Sequence, residues 1–148
     1  MADAMNAQTP EDRELRTLLG KARTVAVVGL SSKPGRPSLG VAAYLQQRGY
    51  RIVPVNPGET EVLGERAYAS LTDIPDDVQV DVVDVFRRAE DTPDVARDAV
   101  ALGAKVLWVS DGIVNDQAYR IASGAGLDVI MGVCIRSTDQ RLQREGTA

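Results

Sequence analysis

The sequence predicts an α/β fold, a three-layer sandwich with a five-stranded parallel sheet between layers of helices. Five short runs rich in Val or Ile recur along the chain: Thr24–Val28, Arg51–Val55, Val80–Val85, Lys105–Val109 and Asp128–Met131. Most are nearly continuous in apolar residues rather than alternating, the pattern of parallel strands buried on both faces. Helical segments lie between most of them, giving the order β-α-β-x-β-α-β-α-β-α. Right-handed crossovers then favour the strand order 3-2-1-4-5, counting the runs along the chain. A length of 148 residues suits one such domain with its own core.

The elements follow in order. Residues 1–9 read as a flexible tail. Thr9-Pro10-Glu11-Asp12 reads as a helix start, with Thr as N-cap, Pro first and acids in the first turn. Leu15, Leu18 and Leu19 supply that helix's apolar stripe, and Gly20 stops it. The helix after the first strand spans Leu39–Arg48 and ends at Gly49. Between Asn56 and Gln79 no stretch is long enough for a full helix, so short turns or a strand fragment are expected there. Thr92-Pro93-Asp94 repeats the cap-Pro-acid start, and that helix runs to Gly103. Asn115 can cap the next, closed by Gly124 or Gly126, and a last amphipathic segment begins near Ser137. The domain is expected over 10–144, with a short tail from 145 to 148.

Composition narrows the chemistry. The net charge is -4, which argues against general nucleic-acid binding, since that needs a basic face. It leaves room for a local basic pocket, and arginine dominates the cations, 14 against 3 lysines. The absence of histidine removes the usual general acid/base near neutral pH and the commonest metal ligand. One cysteine, Cys134, excludes an intrachain disulfide and a thiolate zinc site. The N-terminus has no basic segment followed by an apolar core, and no apolar run approaches the ~18 residues of a membrane span. A cytoplasmic protein is the expectation.

The run Val25-Ala-Val-Val-Gly29-Leu-Ser-Ser-Lys-Pro-Gly-Arg-Pro-Ser38 carries the strongest functional signal. A buried strand enters a small, polar, basic loop, and the loop enters a helix, the layout of a phosphate-binding first turn. Two common versions are disfavoured by spacing. A nucleotide-triphosphate loop needs Gly, four residues, then Gly-Lys-Ser/Thr. Here Gly29 and Gly35 enclose five residues, and Arg36-Pro37-Ser38 follows. The dinucleotide fingerprint needs three glycines and an acid at the end of the second strand. Only Gly29 is in place, and the second strand ends in Val55-Asn56-Pro57. The hydroxyls of Ser31, Ser32 and Ser38 and the charges of Lys33 and Arg36 still suit a phosphate. The plainer reading is a solvated turn with an N-capping serine.

Ligands of open parallel sheets lie beyond the carboxyl ends of the strands. Asn56 can offer its amide to a base or ribose, or can simply make a turn with Pro57. Phe86 can stack on a base and Arg87 and Arg88 can reach phosphate, or all three can be ordinary edge residues. Ser110-Asp111-Gly112-Ile113 can offer backbone to a ligand chain or be a plain turn. Each signal is modest, and their force is joint position on one rim. Cys134, without a histidine partner, reads as a small buried hydrophobe. Asp76, Asp77, Asp81 and Asp84 read as structural.

Taken together, Val27–Ser38, Gly49-Tyr-Arg-Ile-Val-Pro-Val-Asn-Pro57, Leu63-Gly64, Ile74-Pro75, Val83-Asp-Val-Phe-Arg-Arg88 and Gly103-Ala-Lys-Val-Leu-Trp108 resemble the small bacterial CoA-binding proteins of the YccU type. The resemblance covers roughly residues 10 to 144. It implies the Rossmann-like CoA-binding domain also found in the α subunit of succinyl-CoA synthetase, with CoA or an acyl-CoA across the strand ends. By position, Gly29, Leu30, Ser31, Ser32, Lys33, Arg36, Pro37 and Ser38 would hold phosphates, and Val55, Asn56 and Pro57 the adenosine part. Phe86, Arg87 and Arg88 would flank the ligand, and Gly112 and Ile113 would line the pantetheine path. The chain departs from the family at Ser110-Asp111-Gly112, where members often have Gln-x-Gly, and at Met131-Gly-Val-Cys134, where they often have Asp-Arg-Cys with a nearby His. The synthetases also need a phosphorylatable histidine and a grasp domain, and this chain has neither. The expectation is therefore a CoA-binding module, non-catalytic alone, existing as a monomer or weak homo-oligomer. Its alternatives are an NAD(P)-linked sensor or oxidoreductase, and an accessory subunit that completes an acyl-CoA synthetase-type enzyme together with a partner chain.

Overall fold

The computed structural model describes residues 11–146. The expected cap at Thr9, the Pro10 start and the tail over 1–9 lie outside these residues, as do 147 and 148. Helix α1 (Asp12–Lys21) carries Asp12 and Glu14 in its first turn and Lys21 in its last, matching the helix dipole. It runs through Gly20 rather than stopping there, and Leu15 and Leu19 are its buried stripe. Strand β1 (Thr24–Val28) is buried at every position. Helix α2 (Pro37–Gln47) begins with Pro at its first turn, and β2 (Arg51–Val55) follows.

The segment after β2 holds a small antiparallel hairpin, β3 (Glu61–Val62) and β4 (Glu65–Arg66), then a 3-10 turn at Leu71–Asp73. This is the expected set of short turns and strand fragments. Then come β5 (Val82–Val85), α3 (Thr92–Leu102), β6 (Val106–Val109), α4 (Asp116–Gly124), β7 (Asp128–Met131) and α5 (Ile135–Gly146). Asn115 caps α4 as expected, its Oδ1 accepting the Ala118 N–H at 2.8 Å. Helix α5 starts two residues before Ser137 and passes the boundary expected at 144.

The sheet is five-stranded and parallel, in the order β2-β1-β5-β6-β7. In terms of the five runs this is 2-1-3-4-5, not the expected 3-2-1-4-5. The physical reason lies in Pro54. Its carbonyl points away from β1 and accepts the Tyr68 N–H at 3.0 Å. A residue's N and C=O leave an extended strand on the same side, so Pro54 lacks a donor on the outer side of β2. A third strand cannot ladder there. Tyr68 alone bridges that edge, its carbonyl also accepting the Asn56 N–H at 2.8 Å. Val82–Val85 therefore pairs with the other side of β1, and the chain reverses direction across the sheet after a single crossover.

Period-two alternation divides the core. Val25, Val27, Ile52, Val82, Trp108 and Ile130 face α1, α2 and α5. Ala26, Val28, Val53, Val83, Leu107 and Val129 face α3, α4 and the Leu71–Val80 part of the connector. Ala96, Ala99, Ala118 and Ala122 are fully buried where α3 and α4 meet, small residues that let the helices approach. Arg141 holds α1 to α5 through a forked pair with Asp12, at 2.7 and 3.1 Å. Trp108 is fully buried, and its indole N–H donates to the Val133 carbonyl at 2.9 Å, joining β6 to the β7–α5 turn.

Two aspartates of the β5 region have distinct roles. Asp81 accepts the N–H groups of Arg23 and Thr24 at 2.8 and 3.0 Å and so fixes the start of β1. Asp84 lies in register between Val27 and Trp108, fully buried, with neither carboxyl oxygen hydrogen-bonded. Burial pushes its pKa up to about 8.

Candidate functional site

The reversal after β1 opens a crevice at the carboxyl ends of the strands, where β1 and β5 send the chain in opposite directions. A cleft of about 890 Å³ lies there. That is within the usual range for small-molecule and cofactor sites, about 300–1,000 Å³.

Gly29 forms its floor. The residue has φ +88°, donates its N–H to the Val55 carbonyl at 2.7 Å, and passes so close to β5 that a Cβ would lie 2.4 Å from the Phe86 carbonyl oxygen. Only glycine meets both conditions. The loop then turns over its own side chains. The Ser31 N–H donates to Ser38 Oγ and the Lys33 N–H to Ser31 Oγ, each at 3.1 Å. Ser32 donates both its N–H, at 2.8 Å, and its hydroxyl, at 2.9 Å, to Glu59 Oε2. The bonds from the Ser32 backbone and hydroxyl hold the Glu59 pKa below its ordinary value.

Asn56 anchors the loop from beneath. Its Nδ2 donates to the Leu30 carbonyl at 3.1 Å and its Oδ1 accepts the Gly58 N–H at 2.9 Å. The side chain thus positions two loops against each other while still lining the cleft. Leu30 and Val55 are buried core residues whose contribution is backbone. Ser32, Pro57 and Gly112 stand beside the cleft rather than on its wall. The Gly112 N–H is engaged by the Gly132 carbonyl at 3.2 Å.

The remaining expected residues converge. Gly29, Ser31, Lys33, Arg36, Pro37 and Ser38 line one side, and Phe86, Arg87, Arg88 and Ile113 the other. Phe86 packs against the core, its N–H bound to the Val28 carbonyl at 2.8 Å. Arg88 is largely solvated and pairs with Glu90 and Asp91 at 3.7 and 3.3 Å.

Sequence reasoning missed Val41, Glu59, Arg136 and Ser137, and did not place Cys134 on the cleft wall. Arg136 enters from the first turn of α5. Opposite it, Gly40 of α2 leaves open space, where a Cβ would come 3.1 Å from Arg136 Nη1. No local motif marks Arg136. The pairing with Gly40 was the available signal, and it needs the tertiary fold to be seen. Lys33, Arg36, Arg87 and Arg136 make no ion pair among the described residues. Four cations without an ion pair therefore face one cleft of a protein whose net charge is -4. Glu59 and Asp111 are the acids on its wall.

Comparison with known proteins bears on the family and the fold. The family model for the CoA binding domain matches residues 23–138. The uncharacterized protein YneT of Bacillus subtilis (strain 168) is 42% identical over 129 residues, spanning 87% of this chain and 94% of that protein. Acetate–CoA ligase [ADP-forming] II of Archaeoglobus fulgidus is 34% identical over 97 residues, which are 64% of this chain but 14% of that far longer protein. Among solved structures, a hypothetical protein from Pyrococcus horikoshii OT3 superposes with a TM-score of 0.87 at 36% identity, over 90% of this chain and 93% of that one. On the match of most of its length, strand rim included, this chain belongs to the CoA binding domain family.

Proposed function

We propose that the chain binds coenzyme A or an acyl-CoA across the strand ends, and that it acts as a binding module without catalysis of its own. The observation that carries this reading is the set of four unpaired cations around the hydroxyl-rich loop. Coenzyme A carries a pyrophosphate and a 3′-phosphate, and Arg and Lys side chains suit both. Ile113, Val41 and Cys134 offer an apolar wall for the pantetheine arm. A chain without histidine gives Cys134 no histidine base, so a Cys–His nucleophile is unavailable.

Titration calorimetry with CoA and dephospho-CoA tests the reading. We expect heat with CoA, weaker binding of dephospho-CoA, and loss of that difference in Lys33→Ala. No heat with CoA or short acyl-CoAs overturns it. The dinucleotide reading asks for an acid at the end of β2. Glu59 is the acid that reaches the cleft from that side, and it lies in the connector four residues beyond the end of β2, turned to Ser32 of the phosphate loop. An unchanged NADH fluorescence on mixing removes that alternative. A partner that supplies catalysis is the third reading, supported by the Archaeoglobus ligase that contains a similar segment within a longer chain. Co-purification of the native protein with a second chain decides it.

A further inference from the structure

We propose that Glu59 is an internal competitor for the ligand's phosphate, a carboxylate that holds the Ser32 donors and must be displaced when a phosphate binds the loop. This rests on the reading of the cleft as a phosphate-binding site.

Three consecutive loop amides, those of Ser31, Ser32 and Lys33, would ordinarily be free to face an anion. All three are engaged by side-chain oxygens. Two of the acceptors, Ser38 Oγ and Ser31 Oγ, belong to the loop and its helix. They are neutral, and a hydroxyl can accept from the backbone while donating its own proton to a phosphate. The third is different in kind. Glu59 Oε2 carries charge, comes from the β2–β3 connector 27 residues away, and takes both the N–H and the hydroxyl of Ser32. One anionic oxygen with two donors at 2.8 and 2.9 Å is the arrangement a phosphate oxygen would adopt. Both anions cannot occupy it.

The surroundings favour exchange over permanent closure. The Gly58 and Glu59 N–H groups are held by Asn56 at 2.9 and 3.1 Å, so the backbone of the connector is anchored and exchange asks only the Glu59 side chain to turn away from Ser32. Lys33 attracts the carboxylate where it stands and would attract a phosphate equally. Arg36, Arg87 and Arg136 remain available to an incoming anion. A ligand with several phosphates can recruit them and displace Glu59. A single inorganic phosphate recruits fewer and is disfavoured. Glu59 thus acts as a threshold that selects for polyanionic ligands.

The test compares wild type, Glu59→Gln and Glu59→Ala by calorimetry with CoA, pantetheine and inorganic pyrophosphate. Glu59→Gln keeps an acceptor for Ser32 and removes the charge. The expected result is CoA and pyrophosphate binding roughly two- to fivefold tighter in Glu59→Gln, the size of an exposed charge interaction. Pantetheine, which has no phosphate, should be unchanged. Glu59→Ala should follow the same direction, with its melting temperature reporting any loss of loop support. Equal or weaker CoA binding in Glu59→Gln overturns the proposal and makes Glu59 a neutral or ligand-holding residue. The two claims fail separately. CoA binding that ignores the substitution sinks the competitor role and leaves the CoA reading intact. Pyrophosphate that binds tighter to the variant, with CoA bound by neither protein, does the reverse. No binding of either probe to any of the three proteins overturns both.

Discussion

Asp84 shows how much a single buried group can impose on the molecule. It sits fully enclosed in β5 with no hydrogen-bond partner, and burial pushes its pKa up to about 8. The unfolded chain ionises the same group near the usual carboxylate value, about 4. Between those limits the native state binds the extra proton, so the contribution of Asp84 to stability falls as pH rises from about 4 to about 8. One such group contributes up to about 1.4 kcal/mol per pH unit. Urea unfolding at pH 5 and pH 8 should show that slope in wild type and a flatter one in Asp84→Asn; identical slopes would mean that Asp84 is not held neutral. Residues of this kind are only partly legible in a sequence. Asp81 and Asp84 look alike on paper, three positions apart, and the fold gives one two amide partners and the other none. Lys33 and Arg36 could be read because they lie inside a recognisable turn. Arg136 could not, because its relation to the cleft is made by α2 across the fold.

At the scale of elements, the meeting of β1 and β5 sets the geometry of the cleft. Gly29 allows the strands' exits to approach within the distance a methyl group would need. Gly29→Ala forces the Phe86 backbone to move and places a side chain at φ +88°. We expect a loss of about 2–4 kcal/mol of stability, visible as a lower urea midpoint, together with loss of CoA binding. Gly35→Ala is the matched control. It shares φ +88° but meets nothing within 4 Å, so it should cost only the conformational term, about 1–2 kcal/mol. Equal losses in the two variants would show that the close approach carries no energy. The elements themselves were well marked in the sequence, since Val-rich runs and cap residues are local signals. Strand order is not local. Pro54 nevertheless announced that β2 is an edge, because a strand missing an outward donor cannot be laddered on both sides. The missed inference was one of hydrogen-bond supply, not of hydrophobic pattern.

Across the whole molecule, charge is distributed against its own average. The chain is acidic overall, yet four cations that make no ion pair among the described residues line one rim. Ligand binding should therefore weaken as salt screens that rim, by roughly fivefold or more between 50 and 500 mM monovalent salt. Calorimetry across that range checks it, and a flat response would mean that burial of the apolar arm, not charge, drives association. The location of the rim followed from the α/β architecture alone, whereas its depth and its acids needed the folded connector. The only tryptophan has a practical bearing on all these measurements. Trp108 is sealed in the core, yet its indole is bonded to the carbonyl of Val133, the residue before Cys134 on the cleft wall. The protein thus contains an optical reporter wired to its own rim, shielded from quenchers in solvent and sensitive to any shift of the β7–α5 turn. Emission from unmodified protein should therefore report, without a label, any ligand that shifts that turn.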